Sequence, residues 1–423
     1  MMVLTSLLLL VCVAQAARKE YNGYKLVRVI PRHDPQVRVL RALREQTDVD
    51  FWAEPTAAHR SVDLAVSPSQ AETIYGQLLK HGMKAQVLVD DLEKLVEKDF
   101  AKNFDNSTTE FAIGDDPRTF KLDIFHQYQE ISNFAHALAA WYPEIVSVHY
   151  LGKTYENRDL IAIGKPRENK KSFWIDAGIH AREWIAPAAA LYLMHKLATN
   201  YSSDPTIAQL VDEIDWYFVP EANPDGYEYT WTTERYWRKT RSKQGSCYGV
   251  DPNRNWDHHW GGAGTSNDPC SDVYRGPIAF SEPETLAMSN MIKKLGHNLK
   301  AYVSLHSFGQ LWLVPYGYAA RAYPPDFKEL MITAKKANAA LARVHGSNYT
   351  VENSADLYAA AGASDDWAKG VAKIKYVYTI ELRPDENNGD RGFNVGPDQI
   401  IPTGEELLAG MRVIAQHVID MRL

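Results

Sequence analysis

Two side chains with metal-ligand chemistry stand three residues apart in the stretch Gly178-Ile179-His180-Ala181-Arg182-Glu183-Trp184. An imidazole and a carboxylate at that spacing can hold a cation such as zinc from one turn of chain. An apolar run, residues 172–177, precedes them and reads as a buried strand; an Ala-rich run, residues 185–197, follows and reads as a helix. The pair thus lies at a strand-to-helix turn, where open α/β sheets place their chemistry. His-x-x-Glu alone is a short pattern that recurs by chance. A second strand candidate, residues 301–305, ends in His306. His180, Glu183 and His306 together make a His₂Glu set, the composition of catalytic zinc sites that keep one position open for water.

Other groups in the chain could act on a substrate at such a site. Glu381 follows the strand candidate 376–380 and is either a general base for an activated water or the surface partner of Arg383. Residues 235–241 (Arg-Tyr-Trp-Arg-Lys-Thr-Arg) form a basic-aromatic cluster that reads as a solvated face or an RNA-like patch, the second disfavoured by the acidic overall balance. In residues 251–256 (Asp-Pro-Asn-Arg-Asn-Trp), Asn253 beside Arg254 suits a carboxylate, which a guanidinium binds bidentately. His258 and His259 read as polar loop residues, because the ligand set is complete without them. Tyr358 lies in a small-residue loop able to move. Ser364 reads as a helix cap, so Asp365 and Asp366 suit the first turn.

The elements that position these groups fall into two units, which 423 residues accommodate. Residues 17 to about 100 run β-α-β-β-α-β, the order of a ferredoxin-like unit. Residues 92–116 read as a polar connector with Lys94, Lys98 and Lys102. Beyond residue 117, strands and helices alternate, with helices at 122–141, 282–295, 326–345 and 404–421, which predicts an α/β architecture. A long irregular stretch, residues 227–280, carries Cys247 and Cys270 and is long enough to be functional. Residues 1–16 read as a cleaved signal peptide ending in Ala14-Gln15-Ala16. In a secreted chain, Cys247 and Cys270 are an even pair that reads as a disulfide. Asn106, Asn200 and Asn348 open glycosylation sequons. The net charge of −7 argues against a nucleic-acid partner, and no later segment has the length and apolarity to span a membrane.

Taken in order, these motifs resemble the secreted zinc carboxypeptidases of the carboxypeptidase A and B family over essentially the whole chain. The matching stretches are HAREW (180–184), RYWRKTR (235–241), DPNRNWD between the cysteines, SLHSF (304–308), LYAAAGASDDW (357–367) and IELR (380–383). The resemblance implies a mixed, mostly parallel twisted sheet flanked by helices, preceded by an α+β prodomain. It divides the chain into a signal peptide (1–16), an activation segment with its connector (17–110) and a catalytic domain (111–423). It implies one zinc per chain on His180, Glu183 and His306, Glu381 as general base, and Arg238 as oxyanion stabiliser. Asn253, Arg254 and Tyr358 would hold the substrate's terminal carboxylate, Arg182 and Phe393 would line the cleft, and Cys247 and Cys270 match the family's disulfide.

Asp365 stands where the B type has Asp and the A type an apolar residue, which implies release of C-terminal Lys or Arg. Gly317 and Asn353, at positions that also line the pocket, do not both match the B pattern, and Phe308 replaces a frequent Tyr. The alternatives are A-type specificity and an inactive homologue acting as a binding protein. The implied partners are peptides and proteins with a free C-terminus, proteinaceous carboxypeptidase inhibitors, and a trypsin-like activator cutting at Lys98, Lys102 or Arg118. A monomer is expected, with neither membrane nor nucleic acid as partner.

Overall fold

In the first unit, successive strand residues face opposite ways, and both faces are covered. A computed structural model describes residues 18–46, 49–104, 110–167, 170–385 and 392–421. The signal-peptide reading and the Asn106 sequon lie outside these residues, as does the side chain of Lys102. The elements are β1 (Lys25–Val29), α1 (Asp34–Gln46), β2 (Asp50–Ala53), β3 (Val62–Val66), α2 (Ala71–Lys80) and β4 (Ala85–Val89). They form an antiparallel sheet in the order β2-β3-β1-β4, as the β-α-β-β-α-β reading expects. Val27, Val29, Phe51, Val62, Leu64 and Val66 pack on Leu40 and Leu43 of α1 and on Ile74 and Leu78 of α2. The opposite face offers Leu26, Trp52 and Ala65, which pack against Tyr236 and Phe393 of the second unit.

The stretch read as a polar connector departs from expectation. Residues Leu92–Phe104 form a helix, α3. Lys94, Glu97 and Lys98 face solvent, Glu93 and Asp99 are buried, and Leu92 and Val96 join the packing beneath Trp52. Phe100 meets the rings of Trp184 and Trp231 edge-on at 5.8 and 6.0 Å. The helix is polar on average because only a narrow stripe is buried, so composition hid its period.

The second unit contains α4 (Tyr128–Trp141), β5 (Val148–Lys153), β6 (Asp159–Ile163), β7 (Lys171–Ala177), α5 (Ile185–Thr199), α6 (Pro205–Glu213), β8 (Ile214–Val219) and α7 (Pro224–Thr232). After the short pair β9 (Lys243–Gln244) and β10 (Cys247–Tyr248) come α8 (Pro283–Leu295), β11 (Leu299–Gly309), β12 (Leu311–Val314), α9 (Phe327–His345) and β13 (Thr350–Asn353). The chain closes with α10 (Ser354–Leu357), α11 (Ser364–Gly370), β14 (Tyr376–Asp385) and α12 (Ile400–Ile419). The sheet order is β13-β12-β14-β11-β7-β8-β6-β5. Strands β14, β11, β7 and β8 run parallel at its centre, and β12 and β6 join antiparallel on either side. This is the mixed sheet expected. Strand β7 is buried throughout because Phe173, Ile175 and Ala177 enter one core while Trp174 enters the other.

Cys247 and Cys270 form a disulfide with Cα atoms 5.3 Å apart, which ties down the irregular stretch. Among the described residues, no helix is long and apolar enough to cross a membrane.

One buried carboxyl of this unit has a measurable consequence. Glu284 on α8 is 1% exposed, and burial, with Glu282 nearby, pushes its carboxyl up to about 8 from 4.5. The folded protein keeps that proton over a range where the unfolded chain has released it. Stability therefore falls as pH climbs from about 4.5 to about 8 and levels off above. Glu284→Gln should flatten this fall by up to about 1.4 kcal/mol per pH unit, measured by denaturant unfolding across pH; an unchanged slope contradicts the burial argument.

Candidate active site

The ligand turn is built by a glycine. Gly178 adopts φ +73, and a Cβ there would lie 2.2 Å from Oε2 of the buried Glu221, so no side chain fits. The chain can therefore reverse immediately after β7 and present His180 and Glu183 ahead of α5. His306 arrives from β11, two strand residues beyond Ser304 on the same sheet face. The three are 4%, 3% and 1% exposed, and one ligand atom from each lies within 4.8 Å of the others. His180 Nδ1 is 2.8 Å from Glu183 Oε1, and His306 Nδ1 is 3.1 Å from Glu183 Oε2.

The two Nδ1 atoms are 3.2 Å apart. Two imidazole nitrogens converging on one carboxylate, buried from water, fit a soft-to-borderline cation. The outer side agrees: His180 Nε2 faces Asp251 Oδ1 at 3.2 Å and His306 Nε2 faces Ser304 Oγ at 3.1 Å. Acceptors there keep the ring protons on Nε2 and free Nδ1 for a metal. Burial disfavours a charged Glu183, yet the His180 and His306 rings hold its carboxyl below the usual range.

Asp251 is a hub that the sequence reading quoted without a role. It is fully buried at the start of a 3₁₀ turn, where its side chain accepts from the Asn253 N–H. Its other oxygen accepts from Arg238 Nε and Nη2 at 3.3 and 2.9 Å. One carboxylate thus orients a ligand imidazole and a cleft guanidinium together. Burial acts against the Arg238 charge, and Asp251 more than offsets it, raising the group above its ordinary value. In the sequence, Asp251 before Pro252 carries only the signal of a turn cap.

Glu381 stands beside His306 in parallel register. It shares a cavity of about 1670 Å³ with His180, Arg182, Glu183, Arg238, Arg254, Tyr358 and Phe393. Arg383, the alternative partner considered for it, pairs with Glu406 of α12 at 3.1 Å. Arg254 donates to the Gly264 and Asn253 carbonyls at 3.0 and 2.9 Å, which sets its plane, and lies 5.6 Å from the Tyr358 ring centroid. Asn253 Oδ1 accepts from the Ser364 N–H at 2.9 Å, leaving the amide NH₂ as its donor.

The two aspartates of α11 part company. Asp366 accepts from the Gly317 and Tyr318 N–H groups at 2.7 and 2.8 Å and is spent on that turn. Asp365, 3% exposed, accepts from Ser354 Oγ at 3.2 Å. Burial raises its carboxyl, while the Ser354 hydroxyl and the nearby His306 act against the rise. Asn353 donates to the Val314 and Tyr316 carbonyls and accepts from Ala355, so its amide braces the loop. His258 and His259 stay outside the ligand group; His259 stacks on Tyr318 at 3.6 Å.

The first unit covers the cleft. Asp50 pairs with Arg182 at 2.8 Å, and Trp52 packs on Tyr236 and Phe393 at 4.7 and 5.1 Å. Phe308, the residue differing from the frequent Tyr, meets Phe393 at 5.2 Å. Asp99 of α3 accepts from Asn394 at 2.6 Å, and Arg60 pairs with Glu352 at 2.8 Å. Arg182 and Phe393 are therefore blocked to a long peptide while this unit stays in place.

Comparison with known proteins agrees with the geometry. Residues 131–410 match the zinc carboxypeptidase family and residues 27–99 match the carboxypeptidase activation peptide. Carboxypeptidase A2 of Rattus norvegicus is 37% identical over 409 residues, covering 95% of each chain. Carboxypeptidase B of Astacus astacus is 45% identical over 302 residues, covering 70% of this chain and 97% of that protein. The crystal structure of carboxypeptidase A from Helicoverpa armigera superimposes with a TM-score of 0.86 at 28% identity, covering 95% of this chain and 99% of that one.

Proposed function

Because this chain belongs to the zinc carboxypeptidase family and carries its activation peptide, we propose that it is a secreted zymogen whose active form releases C-terminal Lys or Arg. Relatives of both A and B type match, so the residue preference rests on this chain's own pocket. The observation that carries it is Asp365, a buried carboxylate beside Ser354, next to an aspartate already consumed by backbone donors. An ammonium or guanidinium entering there supplies the positive charge that burial withholds.

His180, Glu183 and His306 would hold the zinc, which would supply Lewis acidity toward the scissile carbonyl and the attacking water. Glu381 accepts the proton of the attacking water and passes it to the leaving nitrogen. Arg238, fixed by Asp251, donates to the oxygen on which charge develops. Arg254, the Asn253 amide and the Tyr358 hydroxyl grip the terminal carboxylate, which restricts cleavage to the last peptide bond. Amidating a substrate's C-terminus tests this grip: hydrolysis should drop at least about a hundredfold, the scale of losing a buried charge partner. Equal hydrolysis of acid and amide contradicts an exopeptidase reading.

Residues 17–110 act as the covering segment, with the catalytic domain at 111–423. A trypsin-like protease opens the chain; Lys98, exposed on α3, must unwind from that helix to be cut, whereas Arg118 lies exposed in a short 3₁₀ turn. The disulfide supports secretion into an oxidising compartment. Proteinaceous inhibitors that present a C-terminal carboxylate would use the same grip.

A further inference from the structure

A hydrogen-bond chain crosses two strands and ends on the imidazole of His306. Asp176 on β7 and Ser304 on β11 are register partners, on the sheet face that also carries His306. Both are 0% exposed, so water does not compete. Asp176 Oδ1 lies 2.6 Å from Ser304 Oγ, and Ser304 Oγ lies 3.1 Å from His306 Nε2. The other carboxylate oxygen accepts from the Trp174 indole N–H at 2.8 Å. With both oxygens accepting, Asp176 takes the hydroxyl proton of Ser304. The hydroxyl oxygen must then accept from His306 Nε2–H, because its single proton is already committed. The ring proton is thereby fixed on Nε2 and the Nδ1 lone pair faces His180 and Glu183. Burial raises the Asp176 carboxyl, and the Ser304, Tyr302 and Trp174 donors act against that rise.

We propose that Asp176, acting through Ser304, is a positioning residue that sets the His306 tautomer for zinc. The proposal rests on His306 being a ligand. His180 receives the same service directly from Asp251; His306 receives it through a relay of one hydroxyl.

The relay has a polarity that substitution can reverse. In Asp176→Asn the amide has one oxygen left. The rigid indole N–H can only donate, so that oxygen turns to Trp174 and the NH₂ group faces Ser304. The hydroxyl then swings its proton toward His306 Nε2. That ring nitrogen must accept, the proton moves to Nδ1, and the metal-facing lone pair is lost. Ser304→Ala removes the relay without reversing it.

The test is zinc affinity of the full-length zymogen, measured by competition with a chelator of known affinity and independent of activity. Ser304→Ala should weaken zinc binding at least about tenfold, the usual scale for losing such a support. Asp176→Asn should weaken it further, and Asp176→Asn/Ser304→Ala should recover to the level of Ser304→Ala alone. A loss of packing has no reason to be rescued by a second truncation. Wild-type affinity in Ser304→Ala overturns the proposal, and does so even if Asp176→Asn fails to fold. Additive losses in the double variant overturn it as well. A His306→Ala control separates the two layers: if that variant keeps wild-type zinc affinity, the ligand assignment fails and the relay falls with it. Zinc loss there, without loss in Ser304→Ala, removes the relay alone.

Discussion

Glu381→Gln should keep its zinc and lose turnover by roughly 10²–10⁴-fold, the contribution of a positioned general base. The substitution preserves shape and removes only the capacity to accept a proton. Glu381 is suited to that test because it is not part of the His180–Glu183–His306 group, although it sits beside His306 in register. It faces the same cavity as Arg238, so the two can address opposite charges of one reacting centre: Glu381 the proton leaving water, Arg238 the developing oxyanion. The loss should fall on kcat, with KM little changed, because the terminal carboxylate is gripped by other residues. Zinc content by elemental analysis and steady-state rates on one peptide check both halves. Retained turnover removes Glu381 as base; lost zinc moves it into the ligand sphere.

The second large effect belongs to Asp365. Asp365→Ala should lower kcat/KM on peptides ending in Lys or Arg by about two to three orders of magnitude, the cost of leaving a buried cation unpaired. Peptides ending in Leu or Phe should be cut as before or better, and zinc should be retained. Asp366→Ala supplies the contrast. Its carboxylate holds the Gly317 and Tyr318 N–H groups, so its loss should lower stability and activity on every substrate without shifting preference. A preference for Phe in the wild-type enzyme would transfer the chain to the A type, and unchanged Lys and Arg cleavage in Asp365→Ala would place the specificity charge elsewhere.

Much of this site was legible in one dimension because a polar group that breaks an apolar strand run announces itself. Apolar runs that give way to His180, His306 and Glu381 mark three neighbouring central strands; β11 and β14 run on past His306 and Glu381 to Gly309 and Asp385, and the parallel register sets the polar groups side by side. What the chain order could not show is which groups support them from behind. Asp251 looks like an ordinary turn residue before Pro252, and its bonds to His180 and Arg238 exist only after an irregular stretch folds back. Asp365 and Asp366 are adjacent and chemically identical; only the Gly317–Tyr318 backbone, about fifty residues upstream, separates them. Helix α3 was hidden for a related reason. Its buried stripe of Leu92, Val96 and Phe100 is narrow, and its partners Trp184, Trp231 and Phe393 belong to the other unit. Gly178 reads as any glycine until Glu221 occupies the space a side chain would need.

The most direct measurement is the release of free amino acid from a peptide pair differing only in a final Arg or Phe. The trypsin-treated protein is assayed with zinc present, after chelation, and after zinc is restored. The account predicts rapid release of Arg, slow release of Phe, loss of both on chelation and recovery of both with zinc. Release that survives chelation, or Phe released faster than Arg, would contradict it.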